Sequence, residues 1–161
     1  MRFLQVGVCL ALIVSGALQP APKQNIDTAH LSAVPSASAI ANGRASLYLN
    51  ISPKPKMHVY APGEKDQIPV DITLDRTPGI TAGKTVFPPP EKYFFPPLKL
   101  TQLVYSKPFR LTVPVTLTKV PAEGATTIKG TLTYQACDDA VCFIPKSVAV
   151  TWTLNPAAKL P

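Results

Sequence analysis

The sequence predicts an all-β fold, and three observations carry that expectation. Proline supplies 19 of the 161 residues, about twice its usual share. The prolines recur along the whole chain, which leaves little room for a long helix. Apolar residues reach 46%, enough for a packed core that a disordered proline-rich chain would lack. From Arg44 onward, apolar and polar residues alternate with a period of two, the pattern of half-buried strands. The length suits one domain with a short extension.

Met1 and Arg2 precede an apolar run from Phe3 to Leu18, broken by Gln5, Ser15 and Gly16. A basic start, a short apolar core and the small residues Ser15-Gly16-Ala17 predict a secretory signal peptide over 1–17. The run is shorter than the roughly 20 apolar residues of a membrane span, so an uncleaved N-terminal anchor is the alternative. Cys9 would leave with the leader, and two of the three cysteines would remain in a disulfide-permissive compartment. A periplasmic or secreted location is therefore expected.

Residues 18–42 are rich in Ala, Pro and Ser and are expected to form a flexible linker, with room for a first edge strand near its end. The domain itself is expected over 43–155, followed by a tail over 156–161. Ala45, Leu47, Leu49 and Ile51 share one face of a first strand. Ile68, Val70, Ile72 and Leu74 repeat the pattern, and Phe109, Leu111, Val113, Val115 and Leu117 extend it. Ile128, Leu132 and Tyr134 belong to another strand, and Val148, Val150, Trp152 and Leu154 to the last. Pro69 and Pro114 fall inside such runs, which predicts edge strands or bulges there. With short strands at MHVY (57–60) and TVF (85–87), about seven or more result, a number and spacing that suit an immunoglobulin-like antiparallel β-sandwich.

The formal net charge of +7 would permit nucleic-acid binding, but its arrangement argues against it. Lysines are spread through turns and polar faces, and the densest grouping is Lys54-Pro55-Lys56. No stripe follows a phosphate backbone, so no nucleic-acid partner is expected, and the protein reads as a monomer.

Chemistry concentrates at Cys137 and Cys142. Four residues separate them, with strand patterns on both sides, so a hairpin-like connection brings the sulfurs within disulfide range. Cys142 and Ile144 share the parity of Val148, Val150 and Trp152, unless Pro145 shifts the register, whereas Cys137 opposes that of Leu132 and Tyr134, so a bulge or turn must re-aim it. The residues alone leave two roles open, a static staple and a redox-active pair. A ring this small contributes only about 2 kcal/mol as a staple. Asp138 and Asp139 directly follow Cys137; their charge favours the protonated thiol and slows indiscriminate exchange. Met57 and His58 are the soft ligands weighed for a metal, but a lone His beside a strand is more often an ordinary packed residue. No metal and no cofactor are expected.

The run YQACDDAVCFIPKS (134–147) resembles the cysteine segment of the N-terminal (alpha) domain of the DsbD thiol:disulfide interchange family. That segment shows a YQ-x-C start, an acidic spacer, a second cysteine and a following proline. Upstream, MHVYAPGEKDQIPVDITL (57–74), TVFPPPEKYFFPP (85–97) and LVYSKPFRLTVPVTL (103–117) match the family's order of segments. The resemblance covers about residues 43–154 and implies an immunoglobulin-like fold. It implies a periplasmic exchange module, a component of a protein-disulfide reductase. Such a module takes electrons from a membrane-embedded transporter through a thioredoxin-like protein or domain. It passes them to oxidised periplasmic thiol proteins, such as disulfide isomerases or cytochrome c maturation factors. Cys142 would form the mixed disulfide and Cys137 would resolve it. The family also covers its cysteines with an aromatic cap loop, for which Tyr93, Phe94 and Phe95 are the candidates. The family's full-length members continue into membrane and thioredoxin-like parts, whereas this sequence ends at Pro161. The alternative function is a non-catalytic β-sandwich interaction module with a structural disulfide.

Overall fold

The computed structural model describes residues 24–64, 66–97, 99–121 and 124–157. The expected signal peptide lies outside them, as do the first residues of the expected linker and the end of the tail. The described residues form twelve strands and no helix. They are β1 (Ile26–Asp27), β2 (Leu31–Ala37), β3 (Arg44–Pro53), β4 (His58–Tyr60), β5 (Asp71–Leu74) and β6 (Ile80–Ala82), then β7 (Glu91–Phe95), β8 (Leu100–Tyr105), β9 (Phe109–Leu117), β10 (Thr126–Tyr134), β11 (Ala136–Cys137) and β12 (Lys146–Leu154).

They make three antiparallel sheets. One has the order β1-β2-β3-β9-β6, the second β12-β10-β5, and the third β11-β4-β8-β7. The alternation read from the sequence explains the layering. On β3, Ala45, Leu47, Leu49 and Ile51 are buried, and on β9 so are Leu111, Val113, Val115 and Leu117. The ladder pairs Leu47 with Val113 and Leu49 with Leu111, so one apolar face results. Ile128, Leu132 and Tyr134 of β10 and Val150, Trp152 and Leu154 of β12 join these residues in a single core. Each such side chain contributes roughly 1.5–3 kcal/mol by burial. Trp152 also donates its indole N–H to the Tyr48 carbonyl, at 2.9 Å. The architecture is an immunoglobulin-like antiparallel β-sandwich.

Several elements differ from expectation. Residues 26–37, inside the expected linker, form β1 and β2, and Leu31 and Ala33 are buried in the core. Short alternation with Pro35 and small residues hides this strand, yet its register against β3 runs from Leu31↔Pro53 to Ala37↔Leu47. TVF yields only the isolated Val86↔Thr112 bridge. Pro114 is not on an edge, because β9 lies between β3 and β6. Its carbonyl accepts the Gly83 N–H at 2.8 Å, and β6 has already ended at Ala82. The missing Pro114 N–H thus coincides with a break in the ladder, where it costs little.

The chain changes sheet at Gln135. Tyr134 ends β10 in the second sheet, and Ala136 begins β11 in the third. Gln135 pins that crossover with its own amide. Its Oε1 accepts the Ile68 N–H at 3.1 Å, and its Nε2 donates to the Phe143 carbonyl at 3.2 Å. This switch supplies the re-aiming that the parity of Cys137 demanded.

Candidate functional site

Cys137 ends β11 directly opposite His58 on β4 and is fully buried. Cys142, at the far side of the turn, is exposed. The two form a disulfide with their Cα atoms 4.0 Å apart, and their backbones make an antiparallel bridge. The residues between them close a tight turn around one carboxylate. Asp138 Oδ1 accepts the N–H of Ala140 at 2.8 Å and of Val141 at 2.7 Å. The Asp138 N–H returns to the Val141 carbonyl at 3.0 Å, and the Phe143 N–H to Ala136 at 2.8 Å. The amides of Val141 and Ala140 hold the Asp138 carboxyl below the usual carboxylate range.

Directly opposed residues of antiparallel strands project to the same face. Cys137 therefore shares a face with His58, and Tyr60, two residues further along β4, lies on it too. Tyr60 opposes Val104 of β8, and Tyr93 of β7 opposes Gln102. Four strands thus assemble Cys137, His58, Tyr60, Gln102, Val104 and Tyr93 on one sheet face.

Tyr60 is the hub. Its hydroxyl oxygen lies 3.0 Å from Cys137 Sγ and 3.2 Å from Cys142 Sγ. A disulfide sulfur carries no proton, so the phenol donates. Gln102 Nε2 in turn donates to the Tyr60 hydroxyl at 3.1 Å. Burial pushes the Tyr60 phenol up from its ordinary pKa, partly opposed by the Gln102 bond, so the O–H is retained at neutral pH. Two neighbouring atoms, His58 Nε2 and Gln102 Oε1, are buried without a hydrogen-bond partner.

Tyr93 reaches over β8 to cover this face. Its ring centroid is 4.4 Å from that of His58, and its hydroxyl donates to Asp139 Oδ1 at 2.8 Å. That bond, more than burial, raises the Tyr93 phenol pKa. Tyr93 packs against the small cluster of Tyr60, Val104 and Cys137. On the far side of the turn, Phe143 stacks on His30 at 4.4 Å.

The residues singled out in the sequence therefore divide. Cys137, Cys142, Asp138, Asp139 and Tyr93 come together. Phe95 is buried at 3% exposure and Phe94 is turned to solvent at 56%, and neither joins the cluster around Cys137. Tyr60 and Gln102 were not foreseen. The i, i+2 spacing of His58 and Tyr60 in a short strand was the available signal, and Gln102 offered none. His58 is a packed histidine as expected, but one set against Cys137. Among the described residues, no group of three or more His, Cys, Asp or Glu side chains is placed to hold a metal.

The sequence profile of the family described as thiol:disulfide interchange protein DsbD, N-terminal, matches residues 28–153. The chain belongs to that family. As a DsbD N-terminal domain it carries Cys137 and Cys142 inside the matched region, joined as described. No curated protein sequence matches the chain. Among solved structures, it is similar to the N-terminal periplasmic domain of ScsB from Proteus mirabilis, with a TM-score of 0.57 at 13% identity. The match covers 85% of this chain and 52% of that one, so the chain spans about half the length of that structure. The GAE domain of GGA2p from Saccharomyces cerevisiae aligns with a TM-score of 0.47 at 8% identity, over 84% of this chain and all of that one. The DsbD N-terminal assignment agrees with the β-sandwich reached from strand periodicity.

Proposed function

We propose that the Cys137–Cys142 pair is a redox-active centre, cycling between disulfide and dithiol as the chain exchanges electrons with other proteins. The observation that carries this reading is the asymmetry of the pair: one sulfur exposed, one fully buried, with a buried phenol hydroxyl against both. A structural staple has no need of a proton donor shared by its sulfurs, whereas a thiolate released on reduction gains from one. Membership of a thiol:disulfide interchange family supports the same conclusion.

In this reading the reduced domain meets an oxidised protein at Cys142, the reachable sulfur. The Cys142 thiolate attacks the partner disulfide; a Cys142–partner bond forms and one partner sulfur leaves as a thiolate. Cys137 then attacks Cys142, the intramolecular disulfide forms, and the partner's second sulfur departs. Two electrons and two protons have passed to the partner. A thioredoxin-like dithiol, fed by a membrane electron transporter, reverses the sequence to recharge the domain. The substrates are oxidised exported thiol proteins, and the work takes place in the periplasm after removal of the leader. Tyr93 is the cap residue, covering the Cys137 side of the pair and leaving Cys142 reachable.

The test is covalent trapping. A Cys137→Ser variant, with Cys142 left free, should accumulate mixed disulfides with exported proteins on non-reducing gels. The potential of the native pair should lie above the roughly −300 mV below which structural disulfides fall. Absence of adducts together with a potential below that value would establish the staple.

A further inference from the structure

We infer that His58 accepts the proton of the Cys137 thiol when the mixed disulfide is resolved. The inference rests on the exchange reading and assigns it a base. Cys137 must lose a proton before its sulfur can attack Cys142, and it is fully buried, away from solvent bases. His58 stands directly across the ladder from it, which sets the two Cβ atoms about 4.5–5.5 Å apart. His58 is itself only 2% exposed, and its Nε2 has no hydrogen-bond partner. A buried polar nitrogen left unpaired is costly. With the ring proton on Nδ1, Nε2 carries a free lone pair on a residue that opposes Cys137 across the ladder.

The other groups facing His58 are less suited. From its own strand, Tyr60 keeps its proton, because burial raises its pKa. From β8 comes Gln102, a neutral amide. From β7, Tyr93 is a phenol held to Asp139, and Glu91, two residues along, is bound by Ser106 and Lys107. From the turn after β11, the Asp138 oxygen is taken by two backbone amides, and Asp139 is engaged by Tyr93. Burial lowers the His58 pKa while Asp139 and Asp138 pull it back up, so the ring is neutral near pH 7 and ready to accept. The step balances. The Cys137 S–H bond breaks and its proton moves to Nε2, while the Cys137 electron pair forms the bond to Cys142 Sγ. The Cys142–partner bond breaks, and its electrons leave on the partner sulfur, which takes a proton from the imidazolium or from water.

The test uses the reduced full chain and a chromogenic aryl disulfide in a stopped-flow instrument. Attack by Cys142 releases one coloured thiolate, and resolution by Cys137 releases the second. His58→Phe, which keeps a ring under Tyr93, and His58→Gln should each slow the second phase about 10²-fold, at the low end for general base catalysis. The first phase should be unchanged. The pH profile of the second phase should lose its early plateau and instead rise with the thiol's own ionisation. A second phase with the parental rate and profile in both variants overturns the assignment and leaves the exchange reading standing. Equal slowing of both phases in both variants also overturns it, since that marks a distorted pair. A parent protein that shows no second phase overturns the exchange reading and this inference with it.

Discussion

Tyr60→Phe removes one oxygen atom from the centre of the site, and its consequences follow from three distances. The hydroxyl lies 3.0 Å and 3.2 Å from the two sulfurs and 3.1 Å from Gln102 Nε2. In the reduced protein the same O–H faces whichever sulfur is ionised. A hydrogen bond to a charged group contributes about 1.5–3 kcal/mol, and one pKa unit corresponds to about 1.36 kcal/mol. The more acidic thiol should therefore titrate about one to two units higher in the variant. The thiolate's ultraviolet absorbance, followed against pH in fully reduced protein, reads this directly.

The same substitution strands Gln102 Nε2, a donor in a residue only 3% exposed. Leaving a buried donor unsatisfied costs about 1–3 kcal/mol, so urea unfolding should show a loss of that size. Adding Gln102→Leu removes the stranded amide, together with an Oε1 that already lacks a partner. The double variant should regain stability while keeping the raised thiol pKa. A Tyr60→Phe titration superimposable on the parent's would refute the claim that this hydroxyl stabilises a thiolate.

Tyr93→Ala should speed reduction of the disulfide by a small dithiol about two- to tenfold, the equivalent of losing one aromatic contact, whereas Phe94→Ala should not. Stopped-flow reduction of both variants checks this. The folded Asp138 pKa is depressed, so the turn's contribution to stability is complete above the unfolded Asp value, about 3.9. It is lost as the pH falls through the lower folded value. Asp138→Asn should flatten that acid limb in urea midpoints measured against pH. Gly130→Ala should destabilise by about 1–3 kcal/mol, because a Cβ there would meet the Thr73 carbonyl oxygen at 2.6 Å and force β5 off β10; thermal unfolding measures it.

The strands that bury one face were legible because burial and alternation share a cause. Phe109–Leu117 and the burial of Leu111, Val113, Val115 and Leu117 agree residue for residue with the sequence pattern. Where burial does not alternate, the pattern fails. β4 is buried at all three residues, and β7 buries only Phe95 fully, so neither shows which face it offers to the site. Parity misled at Cys142 and Ile144, since Cys142 is exposed and Ile144 is 81% exposed while Val150 and Trp152 are core. Pro145 and the turn break the register before β12 begins at Lys146. The cysteine turn could be read because it is local. The Tyr60–Gln102 bond joins residues 42 positions apart through a sheet whose order, β11-β4-β8-β7, no short motif announces.

That sheet order also bears on how the pair is tuned. Cysteines are often acidified by a helix N-terminus or an adjacent cation, and the described residues contain no helix. The charged groups that follow Cys137 in the chain are instead Asp138 and Asp139, which oppose ionisation. Asp138 is turned into the backbone of the loop and Asp139 toward Tyr93, so their charge is partly spent on structure. The Tyr60 hydroxyl, fixed from behind by Gln102, then remains as the group that favours a thiolate. Such a centre ionises reluctantly in isolation. Tyr93 packs against the buried Cys137 and holds Asp139, while Cys142 stays exposed. For a pair that exchanges as proposed, abolishing the Tyr93–Asp139 bond with Tyr93→Phe should erode selectivity for docked partners over small disulfides before it affects the maximal rate, as rates with protein and small-molecule disulfides would show.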